Sequence, residues 1–368
     1  MRYWLILATI GVLGVSGCRR ADSALNSELI AVLNDAAHYP RMPVTAVIDT
    51  NQSAGVDQNR FPVTLLDDVD IATEAGAVRG QAEDLLLLPD NSLLVADRRM
   101  PELMRLGPDR VLRPAVNELE SNYLTREPVS IATVDATTVM VADRTTGLKL
   151  FETREGRLVP KSVVETGFEL NDACSVGGRL LVRGLTPHGN TVSEYSKSGA
   201  LLRTYAPAFE HPLELVVRYL SSGLIGCGRG LLNVAAFSHA FPFIHAYSYD
   251  GNLLWTTEIR GLKLARFEHR KRKSGPEGVR RDRGTVFDHP STLMGIGDDK
   301  LLFQFVRVTQ LSPEQQKTFE IHSVLLSSSS GQGSYLGTSL PLVREANLSR
   351  LYAVSPEGSS IKTYALNN

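Results

Sequence analysis

Four short stretches place acids and imidazoles at matching points along the chain: "QAED" (81–84), "REPV" (126–129), "FEHP" (209–212) and "FDHP" (287–290). Oxygen and nitrogen donors gathered on one axis can hold a divalent cation such as Ca2+. Glu83, Glu127, Glu210, His211, Asp288 and His289 are therefore the candidate metal ligands. The same spelling suits a repeated turn ahead of a strand, in which Pro fixes φ, the acid accepts local N–H groups and Phe packs beneath. Spacing alone supplies no ligand set, and the turn is the reading it favours. His239 and His245 of "FSHAFPFIH" (237–245) stand among aromatics, a setting for packed, hydrogen-bonded histidines rather than ligands.

A second chemistry is electrostatic. The net charge of −1 leaves no global field, so charge-driven binding must come from local patches. The segment "LARFEHRKRKSGPEGVRRDRG" (264–284) is such a patch. Long insertions in compact domains are usually functional or unstructured. A basic cluster beside anionic lipid gains about 1 kcal/mol per Lys or Arg. Arg270, Arg272, Lys273, Arg280 and Arg281, with Arg98 and Arg144, are the candidate binding residues. Aromatics do not interleave the charges as nucleic-acid binding requires, so no nucleic-acid partner is expected.

The N-terminus "MRYWLILATIGVLGVSGC" has one early basic residue, a short apolar run and small residues before Cys18. The run is short for a membrane span and has the layout of a secretory signal. Val15-Ser16-Gly17-Cys18 resembles the bacterial lipobox, which implies acylation at Cys18 and multi-chain anchoring in lipid. Arg19 replaces the aspartate of the inner-membrane retention signal, so the expected location is the outer membrane, facing the periplasm. That compartment is oxidising. Cys174 and Cys227 there could pair or be small packed residues; the splay of neighbouring inner strands favours the second.

Such groups need a scaffold, and the sequence spells one by repetition. "SLLVADRR" (92–99) returns as "TVMVADRT" (138–145), 46 positions on, and residues 83–112 align with 129–158 throughout. Each reads as strand, tight turn, strand, turn, strand, turn, strand. Looser copies of the first hairpin centre on 175–182, 226–237, 295–305 and 345–354; second hairpins lie at 195–205, 247–257 and 328–337. Six units of this period match propeller blades. The last lacks a fourth strand, and "FPVTLLDDVDIA" (61–72) is free to supply it beside "IKTYAL", removing the open edge. The expected fold is all-β: a signal peptide over 1–17, a lipidated spacer over 18–57 with a short helix in 22–40, and a six-bladed β-propeller over 58–368. The VADR echo is then architecture, with Val and Ala between blades and Asp-Arg opening the next turn.

"LPDNSLLVADRR" and "VADRTTGLKLFE" resemble the blades of NHL-type six-bladed propellers. Among six-bladed folds, gluconolactonase- and paraoxonase-type hydrolases carry a channel Ca2+, and Glu83 stands where their first-blade glutamate would; segments resembling their other ligands are absent. Nor does any Gly-x-Ser-x-Gly elbow, His-Glu-x-x-His, Cys-x-x-Cys or phosphate loop occur. The preferred expectation is a monomeric, lipid-anchored, non-catalytic module without a resident cofactor, binding an envelope protein or glycan; the alternative is a Ca-dependent hydrolase. The loops joining second to third strands and blade to blade share one side and carry the irregular features, so that side is the expected binding face.

Overall fold

A computed structural model describes residues 43–51, 63–71, 82–97, 103–116, 123, 125–154, 157–209, 214–227, 233–264, 266–270, 278–282, 285–297, 299–310, 317–347, 349–356 and 358–366, with backbone alone for 214–216, 266–270 and 278–282. Cys18, the 22–40 helix, Arg98, Glu210, His211, Arg272 and Lys273 lie outside them.

Blade one consists of β3 (Ala82–Leu87), β4 (Leu93–Asp97), β5 (Met104–Leu106) and β6 (Leu112–Pro114). Blade two is β7 (Pro128–Asp135), β8 (Thr138–Asp143), β9 (Gly147–Arg154) and β10 (Arg157–Val164). Blade three is β11 (Asp172–Val176), β12 (Arg179–Arg183), β13 (Asn190–Ser196) and β14 (Leu201–Pro207). Blade four is β15 (Gly223–Gly226), β16 (Asn233–Ser238), β17 (Phe243–Ser248) and β18 (Leu253–Arg260). Blade five is β21 (Val286–Gly295), β22 (Lys300–Thr309), β23 (Thr318–Ser327) and β24 (Gly333–Gly337). Each is an antiparallel meander in chain order.

Blade six has β25 (Leu342–Ala346), β26 (Arg350–Val354) and β27 (Ser360–Leu366) from the C-terminus. Its fourth strand is β2 (Val63–Asp70), antiparallel to β27. The clasp expected at 61–72 is present. Val69 and Ile71 carry it into the core between blades six and one, with Leu85, Val95, Leu342 and Tyr352, and the Ile71 N–H donates to Ser359 O at 3.1 Å. The chain is a six-bladed β-propeller.

The core is a set of wedges between neighbouring blades. Val141 and Phe151 of blade two pack on Leu94 and Ala96 of blade one, and Ala142 and Leu148 pack on Leu180 and Val182 of blade three. A strand with apolar residues on both faces fits only where both are covered, which explains why β4 and β8 are buried throughout.

Three elements were not expected. β1 (Ala46–Asp49) adds a fifth strand to blade four, parallel to β18. The helix α1 (Glu214–Ser221) fills the connection from blade three to blade four. The basic insertion is a hairpin of β19 (Arg266–Arg270) and β20 (Gly278–Asp282), whose register sets Arg280 opposite Glu268 and Asp282 opposite Arg266. The second hairpins form as expected but with loops longer than two residues: Ser196 N–H donates to Ala200 O, Gly199 N–H donates to Ser196 O, and Gly199 takes φ of 86°. That is a three-residue loop with a glycine bulge.

Candidate functional site: the central channel and its mouth

The six inner strands enclose a channel of about 1920 Å³. Side chains tie its wall from blade to blade. Asp84 Oδ2 accepts the Ile131 N–H at 2.8 Å, Ser130 Oγ donates to Ala173 O at 2.5 Å, and Asp172 Oδ2 accepts the Ile225 N–H at 2.9 Å. Thr292 Oγ1 donates to Val343 O at 3.0 Å, and Glu345 Oε2 accepts the Leu87 N–H at 3.3 Å. Blades four and five join through backbone, Gly295 N–H to Cys227 O at 3.3 Å. Inner strands splay too widely for a continuous ladder, so side chains bridge them.

Between blades three and four the wall is also covalent. Cys174 and Cys227 form a disulfide, with Cα atoms 6.0 Å apart. The expectation of two unpaired thiols is corrected: 6.0 Å lies within disulfide range, so the splay at this depth is small enough to bridge.

The electrostatics of the wall centre on Asp84, Asp172 and Arg344, none of which the sequence reading singled out. Burial pushes the Asp84 carboxyl up to about 6, against the pull of the Arg344 charge and the Ile131 N–H. Asp172 goes up to about 8, first by burial and further by the charge of Asp84, while the Ile225 N–H and Arg344 oppose the rise. Arg344 lies at a bulge in β25, unpaired between Val343 and Glu345. Matching bulges fall at Glu83, Val129 and Ser291, and bulges re-aim side chains. Asp84 and Ser130 both pair across to the Ala of a VADR segment, Ala96 and Ala142. Asp84 and Ser130 are 46 positions apart, the stride of the echo, and that was the signal available in the sequence.

At the mouth the expected residues separate. Glu83, Glu127, Arg144 and His289 line the channel. Arg144 Nε lies 3.7 Å from Glu127 Oε2 and its Nη1 4.0 Å from Glu169 Oε1, so it spans the starts of blades two and three. His239 reaches the same rim, its ring 6.1 Å from that of His289. His245 is buried, with Nδ1 3.0 Å from Thr256 Oγ1, and burial holds it down to about 4. It is a packed histidine, as expected.

Asp288 is turned away from any cation. Buried to 1% exposure, it accepts Arg307 Nε and Nη2 at 2.8 Å each and the Lys263 N–H at 2.7 Å. Asp143 works similarly: its carboxylate accepts the N–H groups of Arg126 and Glu127 at 2.6 and 3.0 Å and that of Thr145 at 3.1 Å. Burial alone would raise it, but these donors hold it below the usual carboxylate range. The acid of the VADR echo braces the turn leading into an inner strand. Among the described residues, no three His, Cys, Asp or Glu side chains are gathered as a metal site. Of the six candidate ligands, Asp288 is committed to Arg307, and Glu210 and His211 lie outside the described residues.

The mouth also collects the irregular connections. Residues from α1 and its exit (Arg218, Tyr219, Ser222), from the second-to-third-strand connections (Arg144, His239) and from blade five after 310 (Lys317, Phe319) line it. On the opposite side, first-to-second-strand turns are short, as at 136–137 and 177–178.

Comparison with known proteins agrees on architecture. The chain is similar to a putative exported protein from Bacteroides fragilis NCTC 9343, with TM-score 0.54 and 9% identity over 89% of this chain and 100% of that one. It is similar to a protein of unknown function from Bacteroides thetaiotaomicron VPI-5482, with TM-score 0.50 and 11% identity over 83% and 76% of the two chains. A looser likeness joins it to virginiamycin B lyase from Staphylococcus aureus, with TM-score 0.46 and 10% identity over 83% and 100%. At such identities the likeness extends to the fold alone. No family model and no curated protein matches the chain.

Proposed function

We propose that this propeller is a non-catalytic recognition module of the cell envelope, tethered through acylated Cys18 and presenting its channel mouth to a protein or glycan. One observation carries the reading: Arg218 of α1, Arg144, His239 and Lys317 come from separate connections yet line the same mouth, while the turns on the opposite side run to six residues at most. Uneven loops on a rigid scaffold are where recognition resides. The 266–282 hairpin, on a blade-to-blade connection, extends that side with Arg270, Arg280 and Arg281 on its strands; with Arg98 and Arg144 they would supply positive charge to an acidic partner surface. The lipobox-like ending supports the tether, since several acyl chains together give stable attachment. The test is membrane fractionation followed by co-purification. Cys18→Ser should move the protein from the membrane to the soluble fraction. Replacing 266–282 by a short Gly-Ser turn should lose the partner captured with the intact chain. Retention of the same partner by that variant would remove the hairpin from the interface.

A further inference from the structure

We propose that the central channel binds a small zwitterion of the amino-acid or short-peptide class, its carboxylate held by Arg344 and its ammonium by Asp84 and Asp172. The site lies in the channel wall rather than on the rim, so it stands or falls separately from the partner proposed for the mouth.

Arg344 supplies the cationic half of the site. Its Nη1 donates to Ser291 O and to Thr292 Oγ1, the latter at 3.4 Å, which fixes the guanidinium against blade five. Its Nε is sealed from solvent and out of a ligand's reach, whereas Nη2 meets no acceptor among the described residues and stays open to the channel. A guanidinium carries five N–H donors and favours planar two-point contact with a carboxylate. This one retains, at Nη2, capacity for an acceptor that the described residues do not provide.

The carboxyls are the other half. Asp84 and Asp172 come from blades one and three, Arg344 from blade six, and all three line the same enclosed space. The charge of Arg344 acts on both acids, yet the contacts of its guanidinium among the described residues are with Ser291 and Thr292 rather than with either carboxyl. Oppositely charged groups therefore face one lumen across a gap. Each acid is fixed by a backbone N–H from the next blade, so closing the gap would require breaking the wall. A molecule carrying both charges would bridge the two sides while the wall stays intact, and such pre-organisation favours binding. Ala132, Leu224 and Leu293 in the wall offer apolar cover to a side chain. A ligand with one charge meets half a site: a carboxylate alone leaves the two acids uncompensated, and an ammonium alone leaves Arg344 without an acceptor. Asp172 holds a proton near neutrality that an incoming ammonium would displace, so affinity should rise with pH through that range.

The experiment is calorimetry on the full chain in detergent with three probes: L-alanyl-L-alanine, acetate and ethylammonium. The dipeptide should bind, with each single-charge probe about tenfold weaker or more. Arg344→Gln and Asp84→Asn should each weaken the dipeptide about tenfold, and Arg344→Lys, which keeps the charge, should retain part of the affinity. Unchanged circular dichroism would show that the variants fold; should Arg344→Gln not fold, the Arg344→Lys and Asp84→Asn arms decide. Absence of dipeptide binding, equal binding of acetate, or affinity indifferent to Arg344 and Asp84 would each overturn the proposal, and none would bear on partner capture at the mouth.

Discussion

Two carboxylates in this chain illustrate how neighbours decide what an acid does. Asp288 and Asp172 both lie in inner strands, but Asp288 has a guanidinium across from it and Asp172 has two backbone N–H groups and a second acid nearby. Removing the partner of the first leaves a buried charge uncompensated, a change that costs about 3–5 kcal/mol. Arg307→Ala should therefore lower stability by about that much in urea unfolding; a loss indistinguishable from that of an exposed arginine would show that the pair is not holding Asp288. For Asp172 the consequence is pH dependence. Its folded carboxyl lies near 8 against 3.8 ordinarily, so the folded state binds more protons between those values. Stability then falls as pH rises through that window and levels off above it. Asp172→Asn, which keeps an oxygen for the Ile225 N–H, should flatten thermal stability between pH 5 and 8, on the order of the window itself. An unchanged slope would place the pH dependence elsewhere.

Elements tell a similar story about what could be read in advance. The repeats at 92–99 and 138–145 marked β4 and β8 because strands covered on both faces spell a continuous apolar run, Leu93 to Ala96 and Val139 to Ala142. The clasp was legible because blade six was one strand short. β1 was not: four residues, Ala46–Asp49, are too few for a period, and their partner β18 lies more than 200 positions away. Nor was α1, an eight-residue helix in the connection from blade three to blade four. At the channel, the reading stopped at Glu83 and passed over Asp84, because a bulge breaks the alternation that tells wall from rim. The sequence favoured two packed cysteines at 174 and 227, and the geometry corrects that to a disulfide. Since it joins blades three and four across a separation of 53 residues, the double variant Cys174→Ser, Cys227→Ser should lose about 2–4 kcal/mol of stability. Equal stability of the oxidised and double-variant proteins would mean that packing around Ile225 and Leu181, with the Ile225–Asp172 hydrogen bond, holds the wall at that point without the disulfide.

At the scale of the molecule, a ring closed by β2 and β27 has two unlike sides. One carries turns of two to six residues; the other carries the connections with α1 and the β19/β20 pair, and the rim charges of Glu127, Arg144 and Glu169. The account rests on that asymmetry being used. Exposed Arg126 and Lys317 lie on the irregular side, and exposed Ala136 and Lys197 on the short-turn side. Incorporating a photo-crosslinking residue at each of these positions in cells tests the claim directly. The account predicts partner adducts from 126 and 317 and none from 136 and 197. Adducts from the short-turn side alone, or from both sides equally, would contradict it.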